Sequence, residues 1–330
     1  MNQVCTRHLE EWIDNTLQTC VDNGISFDPS EEMTKLTFYI IMESAFEYTP
    51  TNEEYHLLDE HLEVCLREFS FRQSTNPLRA GFSAFIPEAR RAYQAAASIQ
   101  EFCQKVLNAY RSNTQKSPQN TLIKLIENVE SFDDAQKVSE IATYIVAGHD
   151  TTGYSLSTAL VLVAKHPQIA QKVRESLPQG ATKPSEYLQY VMNESQRLVP
   201  VAAAGPIRKA GREFIFDTNN GKVCIPKGAN LFLPQIIPFH DPSIYAEPET
   251  FNPERWAEAS EDMKKAFITF SLGKRNCVGQ SLAMAEMNSV LPRLLSRYKF
   301  EIETAGALDY FLTLKFAGTR LRATRITTNE

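Results

Sequence analysis

No two cysteines in this sequence stand in a CxxC arrangement. The six that occur, Cys5, Cys20, Cys65, Cys103, Cys224 and Cys277, are scattered along 330 residues. That spacing excludes the common zinc modules, argues against a disulfide framework and leaves reduced thiols as the expectation. The N-terminal MNQVCTRHLEEW lacks the apolar run of a signal peptide or membrane anchor. The most apolar stretch, Ile141 to Ala164, carries His149 and Asp150 near its middle. An acid at mid-bilayer costs roughly 2.5–3.5 kcal/mol even on insertion scales, so a helix buried in protein is expected there. No internal repeat, low-complexity tract or linker interrupts the chain, and no flavin or nicotinamide motif is found. A net charge of −6 gives no reason to expect nucleic acid as a partner.

What is present suits a globular protein with a sizeable core, at 43% hydrophobic and 22% charged residues. "EEMTKLTFYIIMESAFEY" carries an apolar stripe, and the alanine-rich "EARRAYQAAASIQEFCQKVLNAYRS" is charged on one side. Residues 113–120 read as a surface loop. A long central helix is expected over about residues 134–165, ending where His166-Pro167 disfavours continuation. Two more helices follow. From Val201 short β-prone runs alternate with the turns Asn219-Asn220-Gly221 and Pro226-Lys227-Gly228, which predicts a small sheet. A proline-rich irregular stretch, a helix over about residues 278–298 and a β-prone tail complete the chain. The expected fold class is mainly α with small β-sheets (α+β), in a single domain over residues 1–330.

The most informative stretch is "FSLGKRNCVG", residues 270–279. It sets one cysteine between two glycines and two cations, just before a helix. Backbone N–H groups and the positive end of that helix stabilise a thiolate without a competing full charge. Gly273 and Gly279 let the backbone turn tightly and approach a flat ligand. Arg275 presents a fork suited to a carboxylate. Phe270 is placed to keep water from the sulfur. The alternative is a buried free cysteine in a chance loop. Five set residue types at set spacing arise by accident in on the order of one in ten thousand chains this long.

The pattern F-x-x-G-x-R-x-C-x-G resembles the heme-ligand signature of the cytochrome P450 family, matched by Phe270, Gly273, Arg275, Cys277 and Gly279. The resemblance implies a cytochrome P450-like fold and Cys277 as the axial ligand of the iron of heme b (iron protoporphyrin IX). It also gives meaning to "AGHDTT", residues 147–152, which is similar to the family's oxygen-activating helix motif. Thr151 then hydrogen-bonds iron-bound oxygen, Asp150 relays protons, and Gly148 clears a place for the ligand. His149 fills the variable position, either as a pocket-facing residue or as a core histidine with its hydrogen bonds met. Glu194 and Arg197 of "NESQR" stand three apart on one helix face, where opposite charges meet. By the resemblance they form a buried, fold-holding triad with Arg255 of "NPERW". Arg208 falls where the family commonly has a propionate-binding arginine, or else is a surface arginine at a strand edge. The segment from Val201 to Pro206 would line the substrate pocket.

The family's W-x-x-x-R motif, which binds a propionate, is not found: Trp12 is followed by Asp14 and no suitably spaced arginine. The resemblance, placed on residues from about Glu32 onward, is therefore expected to lack its N-terminal portion. One wall of the heme pocket would be open, heme retention weakened and aggregation favoured. The implied activity is a monooxygenase that inserts one oxygen atom from O2 into a small apolar organic substrate. Electrons come from NADPH or NADH through a separate reductase, whose docking Lys274 and Arg275 assist. Alternatives are a heme-thiolate isomerase or dehydratase acting on peroxides, and an inactive truncated remnant. The family parallel suggests the endoplasmic reticulum membrane, with membrane association through a full-length form.

Overall fold

The structure, a computed structural model, describes residues 2–115, 117, 120–218 and 221–326. The predicted Asn219–Asn220 turn lies outside them, as do residues 116, 118 and 119 of the predicted loop. Among the described residues eight helices reach ten residues or more. They are α1 (Asn2–Trp12), α2 (Pro29–Phe46), α3 (Asn52–Leu66), α4 (Pro87–Ser112), α5 (Asp134–Lys165), α6 (Pro167–Ser176), α7 (Glu186–Leu198) and α8 (Gln280–Leu295). None of the described helices is long and apolar enough to cross a membrane.

The expected central helix is α5, and local chemistry sets both its ends. Asp133 accepts from Gln136 N at 2.8 Å while the Gln136 side chain accepts from Asp133 N at 2.9 Å, a reciprocal cap. Pro167 stops it, because the residue before a proline is pushed out of the helical region, and His166 sits at φ −125°, ψ 81°. Asp28 likewise caps α2 through Ser30 N and Glu31 N, with Pro29 in the first turn.

Strands form four antiparallel pairs: β1 (Ile207–Lys209) with β4 (Asn230–Phe232), β2 (Phe214–Thr218) with β3 (Gly221–Ile225), β5 (Tyr298–Thr304) with β8 (Arg320–Arg325), and β6 (Ala307–Tyr310) with β7 (Leu314–Ala317). The expected small sheet after Val201 is thus two separate ladders, with the β2–β3 hairpin carried between β1 and β4.

Two hydrophobic cores meet along α5. One gathers Ile141 and Ile145 with α3, α4 and the second half of α2. The other gathers Leu156 and residues 159–163 with α1, α6, α7, α8 and β5. The intervening turns of α5, about residues 147–153, lie in the gap, and they hold the polar residues singled out by sequence.

Close approach of α2 fixes this middle segment. A Cβ on Gly153 would lie 2.6 Å from Thr34 Cα and 2.8 Å from Thr34 N, so backbone would have to move. Gly153→Ala should therefore destabilise by about 1–3 kcal/mol in denaturant unfolding, the usual range for overpacking. Gly211→Ala, where a Cβ meets nothing within 4 Å, should cost far less.

Candidate functional site

The cysteine loop follows a turn at Thr269–Phe270 and bends sharply. Ser271 takes φ 58° and Gly273 φ 76°, both left-handed, before a single 3-10 turn at Gly273–Arg275. The glycine is needed at the second of these. Cys277 N donates to Phe270 O at 2.8 Å, which closes the loop and leaves the Cys277 side chain exposed on the near side of α8. Gly279 takes φ −83°, ψ 2°, the third position of a turn closed by Gln280 N donating to Cys277 O at 3.4 Å, so the expected tight turn forms there without a left-handed residue. A Cβ there would sit 3.8 Å from Cys277 Sγ, so its bare backbone keeps the approach to sulfur clear.

Cys277 opens onto a cavity of about 380 Å³ that draws together elements far apart in sequence. Ala147 and Thr151 of α5, Val201 and Pro206 of the following loop, Arg208 of β1, and Phe270 and Arg275 of the cysteine loop all line it. Arg208 donates to Arg275 O at 3.5 Å, so both guanidinium groups edge the same space. Among the described residues neither has a carboxylate partner. Gln235, which sequence reading missed, is 3% exposed on the same wall. Its Nε2 donates to Ile268 O at 2.9 Å, while its Oε1 is buried with no hydrogen-bond partner. A thiol facing two carboxylate-free guanidinium groups fits heme, an apolar macrocycle with two carboxylates and a metal that accepts sulfur.

A second cavity, of about 660 Å³, adjoins the first across Ala147, Thr151, Ala202 and Gly205. Its remaining wall is mostly aliphatic and aromatic, including Leu62, Phe69, Ile99 and Val146, with Asp150 as its one carboxyl group. Of residues 201–206, Ala202, Ala204 and Gly205 line this cavity.

Gly148 lines neither cavity. Its Cβ position is filled by Ile41 Cδ1, 2.0 Å away, so the missing side chain serves helix packing rather than a ligand. His149 resolves as the core alternative. It is 2% exposed, with Nδ1 3.0 Å from Ile145 O and Nε2 3.1 Å from Asp150 Oδ1. Thr151 Oγ1 donates to Ala147 O at 2.9 Å.

Glu194, Arg197 and Arg255 come together as expected. Glu194 accepts from Arg197 Nε at 2.9 Å and Nη2 at 2.8 Å, from Arg255 Nε at 3.0 Å and from Asn252 N at 3.0 Å. The Trp256 indole adds a fifth donor at 2.9 Å, a role that "NPERW" did not disclose in advance.

Sequence reading also passed over Glu286 on α8. It is fully buried, neither carboxyl oxygen has a hydrogen-bond partner, and burial pushes its carboxyl well above the ordinary range. The acid is thus neutral in the folded state while the unfolded chain ionises above about pH 4.3. Between those two values the unfolded state binds fewer protons, so stability falls as pH rises, by up to about 1.4 kcal/mol per pH unit. Urea unfolding across neutral pH should show that slope in the natural chain and lose it in Glu286→Gln.

Comparison with known proteins agrees with this geometry. A family model described as Cytochrome P450 matches residues 1–317, so the likeness reaches well before Glu32, where the motifs alone had begun it. Cytochrome P450 3A5 of Homo sapiens is 32% identical over 189 residues, 54% of this chain and 37% of that protein. Cytochrome P450 3A12 of Canis lupus familiaris is 31% identical over 192 residues, again 54% of this chain and 37% of the relative. The chain thus spans less than half the length of the curated relatives it matches. A crystal structure of a cytochrome P450 (CYP102L1) superposes with a TM-score of 0.84 at 22% identity, covering 98% of this chain and 77% of the other.

Proposed function

We propose that this chain, which belongs to the cytochrome P450 family, works as a heme-thiolate monooxygenase on a small apolar organic substrate. Electrons would come from NADPH or NADH through a separate reductase. The observation that carries the reading is Thr151, which lines both the cysteine cavity and the larger apolar cavity. A heme held against Cys277 would supply oxygen activation at a thiolate-ligated iron. The chain's own residues account for the rest. Cys277 offers the sulfur, Arg208 and Arg275 offer guanidinium forks for two propionates, and Phe270 shields one side of the loop. The aliphatic wall around Leu62, Ile99 and Val146 favours an apolar guest and keeps water out. Thr151 and Asp150 place a hydroxyl and a carboxyl at the same wall, where a positioned acid contributes typically 10²- to 10⁴-fold.

The heme-thiolate isomerase or dehydratase reading needs no such acid and hydroxyl, and their presence favours monooxygenation. Reconstituted with heme, a reductase and NADPH, the protein should convert an apolar probe only when all three and O2 are present. Turnover of a lipid peroxide without reductase would favour the isomerase instead. Activity with neither would favour the inactive remnant.

A further inference from the structure

A third cavity, of about 240 Å³, lies on the other side of Asp150 from the cysteine. It is lined by His149 and Asp150 of α5 and by Asp59 of α3. Asp150 is the one ionisable residue that lines both this polar space and the large apolar cavity. A proton passing from this polar space toward Thr151 has Asp150 as the one ionisable group shared by the two cavities.

At rest the contact between His149 and Asp150 holds one proton. Ile145 O can only accept, so the hydrogen bond at 3.0 Å places a proton on His149 Nδ1. Nε2 and Asp150 Oδ1, 3.1 Å apart, then face each other. A bare ring nitrogen against a carboxylate would repel. One proton must sit between them, on nitrogen or on oxygen. Thr37 Oγ1 holds the same turn by donating to His149 O at 2.8 Å, and the Phe38 ring packs edge-on to the imidazole.

Asp59 stands at the mouth of the polar cavity with its side chain open to solvent. Desolvation raises its carboxyl pKa, tempered by that exposure, with Asp150 and Glu63 adding to the rise and His149 and Lys315 opposing it. The other charged groups facing this space are Asp28, Glu31, Arg67 and Asp309. Tyr55 and Tyr154 line it too, both phenols held protonated by burial, and Lys315 Nζ donates to Tyr154 OH at 3.2 Å. Burial thus holds the Asp59 carboxyl above the ordinary carboxylate range, with access both to bulk water and to the shared proton.

We propose that Asp59 and His149 form the solvent-side limb of a proton route into Asp150, in which the His149–Asp150 contact stores one proton. The inference rests on the reading that Asp150 supplies protons toward Thr151. When Asp150 releases its proton to the apolar side, the Nε2–Oδ1 contact is left one proton short. Asp59 gives up its carboxyl proton through water in the cavity to refill it, and is itself reprotonated from solvent. A space of this size holds several waters at about 30 Å³ each.

The test begins with the full chain carrying isotope-labelled histidine nitrogens. The chain has six histidines, and His149→Gln identifies the relevant signal by its loss. Nδ1 of His149 should carry a proton. Exchange of the Nε2 proton with solvent should slow by about tenfold in Asp59→Asn, and Asp59→Glu should restore it. An unchanged exchange rate overturns the proposal. In the heme-loaded protein with reductase, Asp59→Asn should lower product formed per NADPH consumed by about tenfold, less than loss of a direct acid. If Asp150→Asn leaves that ratio unchanged, the underlying reading of Asp150 fails. If Asp150→Asn lowers it while Asp59→Asn does not, only the limb proposed here fails.

Discussion

Replacement of Cys277 by serine is expected to abolish the thiolate-type absorption band of the heme-loaded, reduced, carbon monoxide-treated protein. Serine is close in shape but remains a neutral hydroxyl at neutral pH, so it offers no anionic ligand. The loop itself should survive. It is closed by the backbone bond from Cys277 N to Phe270 O and by left-handed turns at Ser271 and Gly273, none of which uses the sulfur. Circular dichroism and denaturant unfolding of Cys277→Ser should therefore match the natural chain, which separates ligand loss from misfolding. The buried thiols cannot stand in. Burial pushes Cys5 and Cys65 to about 11 and Cys103 to about 12. At neutral pH a thiol near 11 is ionised in about one molecule in ten thousand. A thiolate-type band that persists in Cys277→Ser would remove the basis of the functional reading.

The parts of the site that sequence disclosed are those whose chemistry is local. The cysteine loop declares itself because the turn, the cysteine and the helix entry lie within ten residues, 270–279. The bounds of α5 were legible for the same reason, since Asp133, Gln136 and Pro167 act on their immediate neighbours. What sequence hid depends on partners supplied by the fold. Gly148 looked like room for a ligand, yet Ile41, over a hundred positions earlier, fills that room. Gly153 drew no notice until Thr34 was seen pressed against it. Gln235 carries no motif, and its significance lies in one amide oxygen left without a partner on the cysteine cavity wall. The pairing of His149 with Asp150 joins adjacent residues, but only the bond from His149 Nδ1 to Ile145 O fixes which ring nitrogen faces the acid.

Glu194→Ala should cost about 3–5 kcal/mol, the range for removing one partner of a buried ion pair. Total stability of a domain is typically about 5–15 kcal/mol, so about a fifth or more would be lost. The magnitude follows from what is left behind. Arg197 is fully buried and the Arg255 side chain is 8% exposed, and both direct donors at Glu194. Without it, Arg197 keeps Phe239 O at 2.7 Å and Arg255 keeps Ala246 O at 2.8 Å, but two positive charges face each other with no anion between. Glu194→Gln should fare little better. One oxygen becomes an NH2 group turned toward donors, so at least two of the five hydrogen bonds become donor–donor clashes. The double change Glu194→Leu with Arg197→Met should cost less than Glu194→Ala alone, because it removes the unpaired charge along with its partner. Urea unfolding of the set decides the matter. If the double variant is as damaged as the sum of its parts, the triad acts by packing rather than by charge. The cost should also reach the cysteine cavity, because Gln196 beside Arg197 and Gln235 one turn before Phe239 both form its wall. Partial unfolding in Glu194→Gln should then appear first as faster loss of heme from Cys277, at urea concentrations where the far helices are still intact.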